Sequence, residues 1–264
     1  MPPPKAALIV GAGAVENSWR PVIRAIQPYY KFTLSNDTGN SFFARVVYLL
    51  RWWSTLSPTN SVEDHEDHLK QHIELLDDLR RTICAELIQA QERGELTARP
   101  QFVNVVDHFL IPYTTNFMLV NTNWDTVIDT ALNNHLQQFD DYDLLPLHIH
   151  GSINQPSTLY LPTEVTKEPY RSHEEEHEIG RIHVSIMKGF ESVTRIIIYG
   201  LSLSPLDAEL IQTLAAGFDN TALEEIIIIV PDHVLVAHRV KLLVSPHRSI
   251  RILGYVPTNL ESPI

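Results

Sequence analysis

Along this chain, short apolar runs end in glycine, proline or polar clusters, and the stretches between them carry apolar residues at helical spacing. The first run, Lys5 to Val10, reads as a strand that stops at Gly11-Ala12-Gly13, with Asn17 or Ser18 placed to cap a helix through Ile26. Beyond Pro100 the spacing predicts a strand near Phe117 to Asn121, a helix near Trp124 to His135, a strand near Leu147 to His150 and a helix near Glu174 to Ser192. Arg195 to Tyr199, Glu225 to Val230 and Ser249 to Leu253 read as further strands with helices between them. Unbroken apolar runs suit strands buried on both faces. Their alternation with helices predicts a doubly wound, Rossmann-like, mostly parallel α/β sheet.

Between Asn40 and Pro100 the period changes. Leu69, Ile73, Leu76, Leu79, Ile83 and Leu87 recur at helical spacing. Ser41 to Leu56 is dense in apolar residues, but Arg45 and Arg51 interrupt it and it is shorter than the roughly 20 residues that span a bilayer. The expected organisation is a Rossmann-like domain built from residues 1–39 and 101–264, with a helical insertion at 40–100. The segment from Phe42-Phe43 to Trp52-Trp53 either packs within that insertion or forms the interface of a homo-oligomer or a partner subunit.

Composition narrows the classes of function. A chain of 264 residues with 44% hydrophobic and 20% charged residues can bury one substantial core. A net charge of −12 disfavours direct nucleic-acid binding, because no basic run offsets the repulsion of a phosphate backbone. Cys84 is the single cysteine, which leaves no internal disulfide or multi-cysteine zinc site and points to a reducing cytoplasm, with Cys84 as core filler. The opening Met1-Pro2-Pro3-Pro4-Lys5 leads into too few apolar residues for a secretory signal, and no membrane association is expected.

Two polar clusters follow apolar runs directly. Asn121-Thr122-Asn123-Trp124-Asp125 follows Phe117 to Val120, and His148-Ile149-His150-Gly151-Ser152 follows Leu144-Leu145-Pro146-Leu147. Open α/β sheets bind ligands at that edge. The Gly11-Ala12-Gly13 turn lets a phosphate approach the backbone, and the helix behind it offers N–H groups and a positive dipole end. Glu16 stands where GxGxxG has its third glycine, and its carboxylate would repel a pyrophosphate. The alternative is a plain strand turn.

In chain order, Gly11-Ala12-Gly13, Thr122-Asn123-Trp124-Asp125, His150-Gly151-Ser152 and Gly200-Leu201-Ser202-Leu203 resemble motifs of the sirtuin family of NAD-consuming proteins. The likeness spans most of the chain outside the helical insertion. Tyr199 to Asp207 looks especially like the bacterial zinc-free branch, which includes NAD hydrolases of antiphage defence. The resemblance implies NAD as substrate with no metal required, Gly11, Ala12 and Gly13 at the pyrophosphate, and Asn123 and Asp125 facing the nicotinamide and its ribose. It implies His150 as the catalytic histidine and Ser202 as a partner of a phosphate or ribose hydroxyl. Thr122 and Gly200 join the cofactor set through their motifs, and Pro21 and Arg24 coincide with the family's proline and arginine.

The departures are also specific. The family's deacylases hold a structural zinc with four cysteines, so the lone Cys84 disfavours deacylation. Val15 replaces a serine and Trp19 a glycine in the first loop, while Val230-Pro231-Asp232 stands where an asparagine is common. Asp232 is the candidate for a ribose hydroxyl, by analogy with the acidic residue of dinucleotide folds. The altered loop keeps a second reading open, a sensor that binds NAD or ADP-ribose without turnover.

These residue types suit the chemistry. Breaking the nicotinamide–ribose bond releases a neutral leaving group, so the site needs a group that polarises a hydroxyl or a water, as a histidine near neutrality does. Asn123 can donate and accept to position that water, and Asp125 can accept hydrogen bonds that fix the loop or the carboxamide. Structural roles compete for each: a satisfied core histidine, a helix cap and a first-turn carboxylate.

A motif of another class lies further on. His173 to His183 reads HExxHxxGxxH, the zinc signature of metzincin proteases, with His173, His177 and His183 as ligands and Glu174 activating a metal-bound water. Glu175 and Glu176 suggest a solvated face instead, and Ile179, Ile182, Ile186 and Phe190 suggest a helix that continues through Gly180. Glu63-Asp64-His65-Glu66-Asp67-His68 reads as a solvated helix start.

Overall fold

The computed structural model describes residues 4–31, 33–55, 62–139, 144 and 146–263. Met1, Pro2, Pro3 and Leu145 lie outside the described residues, as do the side chains of Glu63, Asp64 and His65. Six parallel strands form the central sheet: β1 (Ala6–Val10), β4 (Phe117–Asn121), β5 (Pro146–His148), β6 (Arg195–Tyr199), β7 (Glu225–Ile229) and β8 (Arg251–Tyr255). Their spatial order is β5-β4-β1-β6-β7-β8. Counted among themselves, these strands follow the 3-2-1-4-5-6 order of doubly wound dinucleotide folds. The two strands between β1 and β4, β2 (Val15–Glu16) and β3 (Thr97–Ala98), form a separate antiparallel ribbon.

Strand parity sorts the core into two layers. Leu8, Val10, Leu119, Ile197, Tyr199 and Ile227 face the layer of α1 (Trp19–Ile26), α2 (Asn36–Thr55), α3 (Val62–Glu92), α4 (Gln101–Phe109) and α5 (Val127–Leu136). Ala7, Ile9, Val120, Ile196, Ile198 and Ile228 face α6 (His173–Phe190), α7 (Ala208–Phe218) and α8 (His233–Leu243). Apolar residues at both parities are needed because both faces are covered, and this is why these strands read as unbroken runs. Among the described residues, no helix is long and apolar enough to cross a membrane.

The long helices of the 40–100 segment begin earlier than its expected boundary, at Asn36, and contribute Phe43, Leu50, Leu79 and Ile83 to the same core as the sheet. The ribbon strand β3 also lies within that segment and ties it back to the turn after β1. The aromatic stretch of α2 is split: Phe42 and Phe43 are buried, whereas Tyr48 and Trp52 are exposed and stack on each other. Cys84 is buried in α3, and burial pushes its thiol up to about 11.

Neither expected cap of α1 operates. Ser18 holds the N-cap position without a side-chain hydrogen bond, and Asn17, at a φ of 59°, donates from its amide to the Glu95 carbonyl. α6 does carry a capping box: Ser172 accepts from the Glu175 N–H while the Glu175 carboxylate accepts from the Ser172 N–H.

Buried charge fixes the loop between β5 and α6. Glu164 accepts from Arg80 of α3 at 3.3 Å, from Arg171 at 2.8 Å and from the Tyr170 hydroxyl at 3.0 Å. Arg51 of α2 pairs with Glu168, also in this loop. Removing one member of such a set leaves the others charged in a dry interior. Glu164→Ala is therefore expected to cost about 3–5 kcal/mol in denaturant unfolding, because it leaves Arg171 without a carboxylate and Arg80 with only its contacts to Glu175 and Asp77.

Candidate functional site

The turns after β1 and β6 meet backbone to backbone. Gly11 N–H donates to the Tyr199 carbonyl at 3.0 Å and Gly13 N–H to the Gly200 carbonyl at 2.8 Å. A Cβ on Gly13 would lie 2.8 Å from Gly200 O, and one on Gly200, whose φ is +65°, would lie 2.3 Å from Ala14 N. No side chain fits between these chains, which explains the glycines locally. The turn does not open directly into a long helix as expected. A 3₁₀ turn (Ala12–Ala14) and strand β2 intervene, and Glu16 pairs with Thr97 in the ribbon.

On the other side of β1, the loop after β4 is built from its own polar side chains. Asn121 Oδ1 accepts from the Asn123 N–H at 3.0 Å, and Asn123 donates from its amide to the Gly11 carbonyl at 3.3 Å. His148 bridges this loop to α5, with Nδ1 2.9 Å from the Asn123 carbonyl and Nε2 3.0 Å from Asp129 Oδ2. Burial opposes the charge on His148, but Asp129, the Asn123 carbonyl and Asp125 together raise its pKa. Asp125 is 3% exposed and accepts the Val127 N–H at 3.1 Å. Burial pushes its carboxyl up to about 6, against the lowering effect of that hydrogen bond.

His150 sits between two acceptors. Nδ1 lies 3.1 Å from the Thr122 carbonyl and Nε2 3.1 Å from Asp207 Oδ1. Burial disfavours its charge, but Asp207 and the Thr122 carbonyl together raise the pKa above the ordinary 6.5. A neutral ring would turn one lone pair toward an oxygen, so the imidazolium is the form that satisfies both contacts. Its ring stacks on Tyr160 with centroids 5.8 Å apart, and the Tyr160 hydroxyl donates to Glu209. His183 lies beyond Tyr160 and bonds Thr213 Oγ1 at 3.0 Å, with its pKa lowered chiefly by burial.

These loops enclose a cavity of about 930 Å³ at the carboxyl edge of the sheet. Of the residues expected in a site, Ala12, Gly13, Arg24, Thr122, Asn123, Asp125, His150, Gly200 and Ser202 line it. Gly11 stands just behind, accepting the Asn123 amide. Arg24 is held by two carboxylates, Glu86 and Glu95, each at 2.9 Å. Asp232 does not line the cavity: it is the N-cap residue of α8, exposed at the end of β7. Glu16 is not among the lining residues either, although its neighbours Val15 and Asn17 are.

Several lining residues were not among the expected site residues. Asp207, Tyr160, Arg20 and Arg99 reach the cavity from four different segments. Asp207 falls inside the Tyr199 to Asp207 stretch, but its partnership with His150 spans 57 residues.

The histidines of the HExxHxxGxxH segment do not converge. α6 continues through Gly180, the side chain of His173 is 97% exposed, and His183 is buried on Thr213. Among the described residues, no three histidine, cysteine, aspartate or glutamate side chains are placed to hold a metal.

Asp125 is expected to cost stability when ionised. A carboxyl raised from 3.8 to about 6 is neutral in the fold at low pH and loses stability as pH rises through that window. Asp125→Asn should therefore match the parent below about pH 4 and exceed its stability above about pH 6, by up to about 3 kcal/mol in denaturant unfolding. Comparison with protein-family models, curated proteins and solved structures gives no match.

Proposed function

We propose that this chain binds NAD at the carboxyl edge of its sheet and hydrolyses it to nicotinamide and ADP-ribose, as a zinc-free sirtuin-like NAD glycohydrolase. The observation that supports this is the convergence of Gly13, Thr122, Asn123, Asp125, His150 and Ser202 on one cavity from loops after four strands. Its volume, about 930 Å³, is in the range of small-molecule and cofactor sites. The lone cysteine fits a cytoplasmic setting, and antiphage defence is the role that the resemblance suggests.

In this reading a water oxygen bonds to ribose C1′ as the C1′–N bond breaks. The electron pair leaves with nicotinamide, which departs neutral. Neutral His150 takes the proton of the water, directly or through a ribose hydroxyl, and Asn123 positions the attacking oxygen. Asp125, ionised above about pH 6, stabilises the positive character that develops at C1′.

Incubation with NAD is expected to release nicotinamide, and His150→Ala to reduce the rate at least about a hundredfold, read by chromatography of the products. Undiminished release by that variant removes the assignment. Because Asp207 helps to raise the His150 pKa, activity should climb with pH through a value above 6.5. Asp207→Asn leaves burial dominant and should move that rising limb to lower pH; an unmoved limb would exclude His150 as the base.

One observation favours the second reading, an NAD or ADP-ribose sensor without turnover. Both ring nitrogens of His150 already face oxygens, and a ring held as a cation accepts no proton. Tight ADP-ribose binding by calorimetry, with NAD left intact over the pH range in which His150 titrates, would select the sensor.

A further inference from the structure

We propose that Arg99 and Arg20 form a phosphate clamp at the exposed edge of the cavity, so that the site selects ligands carrying a phosphate or pyrophosphate. The proposal deepens the dinucleotide reading and rests on it for the identity of the ligand. Two anchors hold Arg99 on the glycine turn: its backbone N–H donates to the Ala14 carbonyl at 2.9 Å and its Nε to the Gly13 carbonyl at 2.7 Å. The ribbon of β2 and β3 places it there, since Val15 pairs with Ala98, the residue just before it.

Those anchors use one of the five N–H donors of the guanidinium. Among the described residues, the two terminal nitrogens of Arg99 and the whole guanidinium of Arg20 have no acceptor, and both side chains are exposed. Both line the cavity. The contrast with Arg24 on the same wall is direct, because that guanidinium is neutralised by Glu86 and Glu95. The other lining charges are balanced or removable: His150 is paired with Asp207, and Asp125 is an acid with a raised pKa.

A chain with net charge −12 therefore presents two uncompensated cations at one concave site. A guanidinium fixed through Nε offers its remaining N–H groups as a fork, which suits phosphate oxygens. Glu16, two residues from Ala14, pairs with Thr97 in the ribbon and is not among the lining residues. The recognition class is a phosphorylated ligand, carrying either a phosphate or a pyrophosphate.

Calorimetry with ADP-ribose, adenosine and inorganic pyrophosphate tests the clamp. Arg20→Gln, at an exposed position without side-chain partners, should leave the fold intact and weaken ADP-ribose binding about tenfold or more, as should Arg99→Gln. Adenosine, which lacks the anion, should bind parent and variants alike. Undiminished ADP-ribose binding by both variants overturns the clamp and leaves the dinucleotide reading standing. Arginine-dependent binding of pyrophosphate without any binding of ADP-ribose supports the clamp and ends that reading. Absence of both ligands from the parent protein overturns both.

Discussion

The close approach of two backbones, at Gly11 to Gly13 and at Gly200, governs the architecture of the cavity. β1 and β6 are adjacent parallel strands whose following chains enter opposite helical layers, so the sheet opens where they part. The hydrogen bond from Gly13 to Gly200 closes the floor of that opening before the chains diverge. With any Cβ at Gly200 the two turns would separate, and the walls built on them would separate too. Asn123 extends the same seam to β4 by donating to Gly11, so three strand ends are fastened together by backbone acceptors.

Charge is distributed unevenly around this floor. The loop from Leu159 to Arg171 carries Tyr160 against His150 and is fastened to α2 by a part-buried ion pair and to α3 by a buried one, with Glu164 and Arg171 withdrawn from solvent. Elsewhere on the lining, Arg20 and Arg99 lie at the surface without carboxylate partners among the described residues. One part of the lining is thus specified by internal pairing, and another presents positive charge to whatever enters. His150 and Asp207 bridge the loops between these regions, and their pairing sets the protonation of the ring.

How much of this could be read from the residues depended on the range of the interaction. Buried parallel strands announce themselves because both parities must be apolar, and Arg195–Tyr199 needed no other signal. α3 was equally plain, since Leu76, Leu79, Ile83 and Leu87 form one stripe. The ribbon was not legible: two strands of two residues have no period, and their pairing joins Val15 to Ala98 across the whole helical segment. His150 could be nominated from its place after an apolar run and Ser202 from the resemblance, but Asp207 acquires its role only when two distant loops meet. Arg24, named through the resemblance, does line the cavity, but its pairing with carboxylates of α3 and the turn after it joins distant segments and carried no signal in the sequence. In the HExxHxxGxxH segment the letters were present, yet helix continuation through Gly180 set the geometry.

The register of the sheet bears on how this protein can vary. His148, Asn121, Val10, Tyr199 and Ile229 occupy a single rung across five strands. Deleting one residue from any of these strands would lower its loop by about 3.3 Å and swing its last side chain into the other helical layer. Insertions within the strands carry the same penalty in reverse. Sequence drift that preserves the cavity is therefore confined to substitution in the strands, while changes of length are absorbed in the loops, where a new specificity can arise without disturbing the rung beneath.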